Sequence, residues 1–240
     1  LGFSLLMPVL PFVVERYGAP EAVYGVLLSS YSICQFLGAP WLGRLSDSVG
    51  RKPVLLISQA GTLLAWVVFG AAWFLPDVSI GWLSLPLVVI ALSRVLDGIT
   101  GGNNSVTQAY VSDITSHQEK GWIFGAIGGI VGVGMIVGPG LGGFFASSSL
   151  GYLGVAICGA VISLVTLGSI QIHLTESLPP EKRKPRAKQS LWSSVLLIRR
   201  VRELNPPAII KRIFVVRSLF SSMMASYIST IALYIIDIFK

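Results

Sequence analysis

The feature that most constrains this chain is a row of long apolar blocks that are nearly free of charge. A helix needs about 20 apolar residues to cross a bilayer, and in lipid only helices and closed barrels satisfy every backbone polar group. The charged fraction is 12%, against about 25% in soluble domains. We therefore predict an all-α, polytopic integral membrane protein. The apolar blocks lie at 1–14, 22–42, 54–75, 83–112, 122–146, 152–173 and 209–236.

The first block is short for a span, and the chain starts at Leu1 without an initiator methionine. We therefore expect a fragment whose first span is truncated. A cleaved signal peptide is the alternative, but the block has no basic leader and no convincing cleavage site. The expected domains are a six-helix half at 1–173, a cytoplasmic linker at 174–208 and a seventh span at 209–240.

Basic residues are concentrated on one side of the predicted spans. Fifteen lysines and arginines follow blocks two, four and six, whereas only Arg16 and Lys240 lie on the other side. By the positive-inside rule, residues 43–53 are cytoplasmic and residues 15–20 are outside. The net charge of +7 is thus explained by topology and indicates no nucleic-acid partner. We expect a plasma or inner membrane protein, with an organelle membrane as the alternative.

The linker at 174–208 is polar, basic and contains several prolines. Such a composition is typical of a flexible connection. Within it, residues 191–204 are amphipathic enough to form a helix on the anionic membrane surface, with Trp192 as an interfacial anchor. A fully solvated linker is an equally good alternative.

The segment 43–53, GRLSDSVGRKP, interrupts the apolar sequence with charged residues. A short connection between two spans needs tight turns, and Gly43 and Gly50 can adopt backbone conformations that other residues avoid. Asp47 and Arg51 are four residues apart, so they share a helix face and can pair. Turn chemistry explains the glycines and the basic residues, but it does not explain an acid at the membrane edge.

The fourth block contains charges where each costs about 2.5–3.5 kcal/mol at the bilayer centre. At helical spacing they belong to a polar stripe of Arg94, Asp97, Gly101, Asn104 and Gln108. Polar side chains in a membrane usually face a bundle interior or a water-filled cavity. Two interpretations stay open: a buried ion pair that ties helices together, or the lining of a translocation pathway with Asp97 as its titratable carboxylate.

The second block has a weaker polar stripe, which consists of Tyr24, Tyr31 and Gln35. Aromatic and amide groups suit a cavity that binds flat, lipophilic, weakly polar molecules. Ordinary packing between helices explains the same residues equally well. The stripe therefore provides second-tier candidates for a substrate cavity.

The fifth block is rich in glycine, and Gly134, Gly138 and Gly142 recur every four residues. This small-xxx-small pattern lets helix backbones approach closely. Pro139 removes a backbone hydrogen bond and favours a bend. We therefore predict a tight helix interface with a hinge in this span.

Four segments resemble the major facilitator superfamily, in particular its twelve-span drug:proton antiporters of the tetracycline-resistance type. GRLSDSVGRKP fits the loop motif G-x-L-(S/A)-D-x-x-G-R-(K/R)-x, and LGFSLLMPVLP at 1–11 fits the first-span pattern. RVLDGITGG at 94–102 is similar to the motif R-x-x-x-G-x-x-G, and GMIVGPGLGG at 134–143 to the antiporter motif. The resemblance covers about residues 1–175. It implies a major-facilitator fold, of which this chain holds the first six-helix half plus span seven.

The resemblance also implies a conformational latch. In the family, the loop acid, the loop arginine and an acid at the end of span four form a charge cluster that holds the outward-facing state. Asp47, Arg51 and Asp113 match these positions, and Gly43 and Gly50 are the loop glycines. An ordinary loop acid is the alternative for Asp113.

Two further roles are implied in the membrane interior. Arg94 matches a family arginine that takes part in proton coupling, whereas Asp97 stands where the family often has Gln or Ser. Any role of Asp97 must therefore be argued from its physical chemistry. The antiporter motif is carried by Gly134, Gly138, Pro139, Gly142 and Gly143.

Together these features indicate a secondary transporter that exports small lipophilic or drug-like molecules in exchange for protons by alternating access. The expected partners are a small-molecule substrate, protons and the lipid bilayer, and we expect a monomer when the protein is complete. The sequence has no nucleotide loop, metal cluster or catalytic constellation, so we expect no enzyme activity, cofactor or metal. A symporter or uniporter for a small metabolite is the nearest alternative. A seven-span receptor or scaffold is disfavoured because the N-terminus is predicted to be inside.

Overall fold

The computed structural model describes residues 2–81, 83–183 and 207–238. The chain divides into two compact units, residues 1–187 and residues 188–240. The described strands, β1 (Ser79–Ile80) and β2 (Leu83–Ser84), are antiparallel with Ser79 opposite Ser84, and 3₁₀ turns cover Ala72–Phe74 and Pro180–Lys182. The α-helices of the described residues are α1 (Gly2–Leu6), α2 (Leu10–Arg16), α3 (Glu21–Val49), α4 (Arg51–Ala71), α5 (Leu85–Thr100), α6 (Asn104–Ile114), α7 (Lys120–Ala146), α8 (Tyr152–His173) and α9 (Ala208–Ile238).

Five helical segments of the described chain are long and apolar enough to cross a membrane. They coincide with the second to sixth apolar blocks, so the prediction of an all-α, multi-pass membrane protein is confirmed. Helix α9 occupies the block predicted as the seventh span, and its crossing of a membrane stays a prediction. The predicted interfacial helix at 191–204 lies outside the described residues. The five segments are Ala22–Val49, Arg51–Phe74, Leu85–Ile114, Lys120–Ala146 and Tyr152–His173.

The connection between α3 and α4 is a single residue. Helix α3 continues through the predicted loop to Val49, and Gly50 then reverses the backbone with φ +112°. The prediction of a turn at Gly43 is therefore wrong. Residues 43–49 contain no proline, and the buried side chains of Leu42 and Ser46 keep this stretch helical against its neighbours.

The first apolar block is two short helices rather than one. Helices α1 and α2 are separated by residues 7–9, because Pro8 has no N–H to donate to a preceding carbonyl. The Val9 amide instead donates to Leu6 at 3.0 Å. Pro11 lies in the first turn of α2, where its missing N–H costs nothing.

The fourth apolar block is also broken, between α5 and α6 at residues 101–103. The prediction of one continuous helical stripe across this block is therefore wrong. Gly101 and Gly102 weaken the helix, since glycine costs about 1 kcal/mol relative to alanine in a helix interior. Gly102 also lies so close to the backbone of Ala39 that an added Cβ would collide with it. This close contact between helices fixes the position of the break against α3.

The core of the first unit lies where α4 packs on α5 and α8. The rings of Trp66 and Phe69 are fully buried there, and burying such a side chain contributes about 1.5–3 kcal/mol. Gly159 of α8 admits the Trp66 ring, because a Cβ at that position would collide with it. Large apolar side chains on α7 such as Ile130 and Ile136 are exposed, as expected for helices that face acyl chains or other spans.

The predicted topology can be tested by labelling single cysteines in the full-length protein. With Cys34 and Cys158 replaced by alanine, Ser48→Cys is expected to react with an impermeant thiol reagent from the cytoplasmic side. Ala19→Cys is expected to react from the outside, because the two positions lie at opposite ends of α3. Reaction of both from the same side would contradict the orientation.

Candidate functional site

A charge cluster joins the ends of α3, α4 and α6. The Arg51 guanidinium lies 2.6 Å from the Asp47 carboxylate through Nη1 and 3.1 Å from the Asp113 carboxylate through Nε. Nη1 also donates to the Ser46 hydroxyl at 2.7 Å. Only 10% of the Arg51 side chain is exposed. We call Asp47, Arg51 and Asp113 the Arg51 cluster; the structure brings all three predicted residues together.

Glu176, which the sequence analysis missed, completes the site from the chain that follows α8. Its carboxylate accepts hydrogen bonds from the Arg51 amide at 2.8 Å and the Lys52 amide at 3.2 Å. It also accepts from the Leu178 amide at 3.0 Å. The first N–H groups of a helix have no partner within the helix, and a negative charge there complements the helix dipole. Glu176 therefore caps α4 at the residue that anchors the cluster.

Gly50 is required by this arrangement for two reasons. Its φ of +112° is one that residues with a side chain rarely adopt, and a Cβ at this position would collide with the Glu176 carboxylate. Gly43 differs, because a Cβ there would meet its nearest neighbour, the Ser105 hydroxyl, at an ordinary 3.6 Å. Of the two predicted loop glycines, only Gly50 has a conformational role in the cluster.

The residues that follow α8 are tied to the same end of the bundle. We call residues 174–178 the exit segment. The Tyr110 hydroxyl donates to the Thr175 carbonyl at 3.0 Å, and the Ser177 hydroxyl donates to Asp113 at 3.3 Å. At the end of α8, the Lys52 ammonium donates to the Gln171 carbonyl at 2.9 Å. The first part of the predicted flexible linker is therefore held against α4 and α6.

Removing the Glu176 carboxylate is expected to destabilise the protein. Glu176→Ala leaves the Arg51 and Lys52 amides without their acceptor, and losing a helix cap costs about 0.5–2 kcal/mol. We expect a lower thermal midpoint for the purified full-length protein in detergent. Glu181→Ala, at an exposed acid of the nearby 3₁₀ turn Pro180–Lys182, is the matched control and should leave the midpoint unchanged. An equal effect of both substitutions would contradict the capping role.

A second charged pair lies inside the membrane-spanning region. Arg94 Nη1 is 3.3 Å from the Asp97 carboxylate, and their side chains are only 5% and 8% exposed. The Thr62 hydroxyl also hydrogen-bonds Asp97. The Arg94 guanidinium lies 5.5 Å from the Trp66 ring and 5.3 Å from the Phe69 ring, where the aromatic faces attract a cation. Arg94 Nη2 has no hydrogen-bond partner among the described residues.

Asp97 borders a cavity of about 650 Å³ between the helices of the first unit. The predicted partners Asn104 and Gln108 do not line it; they are exposed and lie 3.5 Å from each other. The break before Asn104 explains this difference, because the helical phase does not continue across it. The polar residues that line the cavity are Ser4, Tyr31, Gln59, Thr62, Asp97, Asn103, Ser163 and Thr166.

The predicted stripe on α3 is only partly directed at this cavity. Tyr31 lines the cavity and stacks on Phe3, with ring centroids 5.2 Å apart. Gln35 does not line it but donates to the Tyr31 hydroxyl at 3.0 Å. Tyr24 is fully buried elsewhere in α3. Of the three candidates, Tyr31 is the one that the structure places on the cavity wall.

The glycines of α7 form a close interface with α1. The Ser4 hydroxyl donates to the Gly134 carbonyl at 2.9 Å. A Cβ on Gly138 would collide with Ser4, and one on Gly142 would collide with the Leu5 backbone. The other two residues of the motif differ: Pro139 is half-buried within the continuous helix α7, and Gly143 is exposed with open space around it.

Comparison with known proteins agrees with these features. The sequence model of the Major Facilitator Superfamily matches residues 1–240. The class H tetracycline resistance protein of Pasteurella multocida is 34% identical over 172 residues, or 70% of this chain and 40% of that protein. The class B protein of Escherichia coli is 37% identical over 147 residues, or 60% of this chain and 34% of that protein.

A second kind of relative is found in animals. The major facilitator superfamily domain-containing protein 10 of Bos taurus is 32% identical over 234 residues, or 83% of this chain and 48% of that protein. The crystal structure of the human organic anion transporter MFSD10 (TETRAN) matches with a TM-score of 0.58 and 28% identity, over 79% of this chain and 46% of that chain. The chain thus spans less than half the length of each of these four proteins.

Proposed function

The chain belongs to the major facilitator superfamily, and from that premise we propose that the complete protein is a secondary active transporter that exports small drug-like molecules in exchange for protons. Transport proceeds by alternating access, in which two halves of the protein rock about a central site. The present chain contributes the first half and the start of the second. The Arg51 cluster is the observation that carries this proposal.

The geometry of the cluster supports a conformational latch. Arg51 bridges acids on two helices that come from different hairpins, at distances of 2.6 and 3.1 Å. A partly buried charge cluster that is formed in one conformation and broken in another would bias a two-state equilibrium. Glu176 adds the exit segment to the latch. The latch therefore connects α3, α4 and α6 to the chain that leads towards the second half.

The buried pair supports coupling to a proton gradient. Ionisable residues in spans are costly and usually mark ion pathways or proton relays. Asp97 borders the cavity and is held by Arg94 and Thr62. A carboxylate in this position can bind a proton, and its neutralisation would weaken its ion pair with Arg94. Asp97 is thus the group that we assign to proton binding, with Arg94 as its partner.

The substrate class is suggested by the relatives. The names of the bacterial relatives state resistance to tetracycline, whereas the human structure is named an organic anion transporter. We favour drug-like molecules, because the tetracycline resistance proteins share the higher sequence identities. A symporter or uniporter for a small metabolite is not favoured by these similarities.

Transport by the full-length protein in proteoliposomes tests the proposal. With an imposed proton gradient, we expect uphill movement of tetracycline or a related drug, and movement should stop when a protonophore dissipates the gradient. The panel should also include an organic anion. Uphill transport of the anion alone would contradict the proposed substrate, and downhill transport that is insensitive to the protonophore would contradict proton exchange.

A further inference from the structure

The break between α5 and α6 is stabilised by side chains from two other helices. A helix that ends within the membrane leaves carbonyl groups that must find partners. The Gly101 carbonyl accepts a hydrogen bond from the Gln35 amide of α3 at 3.2 Å, and the Thr100 carbonyl accepts one from the Ser58 hydroxyl of α4. Gln35 and Ser58 therefore replace hydrogen bonds that the broken helix has lost.

The amide of Gln35 has no donor left for a substrate. Its nitrogen carries two hydrogens, and it donates to both the Tyr31 hydroxyl, at 3.0 Å, and the Gly101 carbonyl, at 3.2 Å. Gln35 also does not line the cavity. Its contacts thus connect a residue of the cavity wall to the helix break.

Close backbone contacts prevent the break from sliding along α3. A Cβ on Gly98 would collide with the backbone of Tyr31, and one on Gly102 with the backbone of Ala39. On the opposite side, a Cβ on Gly38 would collide with the Ile99 carbonyl. The register between α3 and α5 is therefore fixed on both sides of the break.

The break between α5 and α6 determines which of two neighbouring asparagines lines the cavity. In a continuous helix each residue turns by about 100°, so residue 104 would lie about 20° from Asp97 and residue 103 about 120° away. In the broken helix Asn103 lines the cavity and Asn104 does not. The other polar groups of the wall, besides Asp97, are uncharged, and Asp97 is paired with Arg94.

We propose that Gln35 and Ser58 are positioning residues that hold the break of the fourth span, and that Asn103, which lies on the cavity wall as a result, is a specificity-determining contact for uncharged carbonyl or hydroxyl groups of the substrate. The identity of that ligand as a transported substrate rests on the proposed function. The role of Gln35 and Ser58 in holding the break does not.

Thiol labelling tests the positioning without requiring transport. In the full-length protein in membranes, with Cys34 and Cys158 replaced by alanine, we compare Asn103→Cys and Asn104→Cys for their rates of reaction with a small hydrophilic methanethiosulfonate reagent. Gln35→Met removes the donor at similar volume, so the helix can re-form across residues 101–103. We expect the rate at 103 to fall at least ten-fold and the rate at 104 to rise. Ser32→Ala is the matched control, because the Ser32 hydroxyl donates within α3, to the Leu28 carbonyl at 3.1 Å.

Two further measurements complete the test. Ser58→Ala should produce the same exchange of labelling rates, which provides a second variant if Gln35→Met reduces the amount of folded protein. Unchanged rates in both variants would overturn the positioning role.

For the substrate contact, Asn103→Ala should raise the apparent KM of a drug with carbonyl groups at least five-fold at an unchanged maximal rate, whereas Asn104→Ala should not. An unchanged KM in Asn103→Ala would overturn the assignment of Asn103.

Discussion

Asp47→Asn in the full-length protein is expected to reduce transport by about 5- to 150-fold while membrane insertion stays normal. The factor corresponds to a loss of about 1–3 kcal/mol of coupling between two conformations. Asparagine has the size of aspartate but no charge, so it removes the ion pair that joins Asp47 to Arg51 at 2.6 Å. Arg51 keeps its contacts with Asp113 and Ser46, and the fold is therefore retained. The measurement is the initial rate of proton-driven drug uptake into inverted vesicles, normalised to the amount of protein.

A matched control separates the latch from a general effect of lost charge. Asp77→Asn removes an exposed carboxylate from the connection between α4 and β1, outside the Arg51 cluster, and should leave the rate unchanged. Asp113→Asn should resemble Asp47→Asn, because it removes the second acid from Arg51. Normal transport by Asp47→Asn at normal expression would contradict the latch. The segment would then have only structural roles, which are the turn at Gly50 and the capping of α4.

The Arg51 cluster illustrates what the sequence can predict. Asp47 and Arg51 are close in the chain, and their spacing by itself indicates a pair. Only the family motif connects Asp113 to this pair, since no local pattern relates it to Arg51. Glu176 could not be found in this way, because it lies 125 residues from Arg51 and its partners are backbone amides, which look alike at every position of a sequence.

The fourth span illustrates where periodicity fails. The stripe from Arg94 to Gln108 assumes that one helical phase continues through the whole block. Two adjacent glycines and the contact with the Ala39 backbone interrupt that phase, so Asn103 replaces Asn104 on the cavity wall. The glycine pair is visible in the sequence, but its effect depends on a neighbouring helix. Gly43 shows the reverse case, in which a glycine stays within a helix because nothing around it requires another conformation.

The largest effects on folding are expected at Arg94 and Asp97, because both side chains are almost fully buried. Asp97→Asn leaves the Arg94 cation without its counter-ion, and breaking a buried pair in this way costs about 3–5 kcal/mol. Arg94→Ala is expected to be milder, since the Asp97 carboxyl can bind a proton and avoid an uncompensated charge. We therefore expect a low yield of folded Asp97→Asn, and an Arg94→Ala protein that folds but has lost proton-driven exchange. Size-exclusion profiles of the purified full-length variants measure the yield of folded protein. Transport in proteoliposomes measures proton-driven exchange.

The double variant with Arg94→Gln and Asp97→Asn distinguishes the two roles that the pair could have. Both charges are absent, so neither residue is left as an unpaired ion, and the folded yield should return towards that of the parent protein. If the pair only ties helices together, uphill transport should return with the fold. If Asp97 binds the coupling proton, the double variant should move drug down its gradient but not accumulate it against one, because asparagine does not titrate. Full recovery of proton-driven accumulation would reject the functional role of both residues and leave a structural ion pair between the Trp66 ring and the cavity.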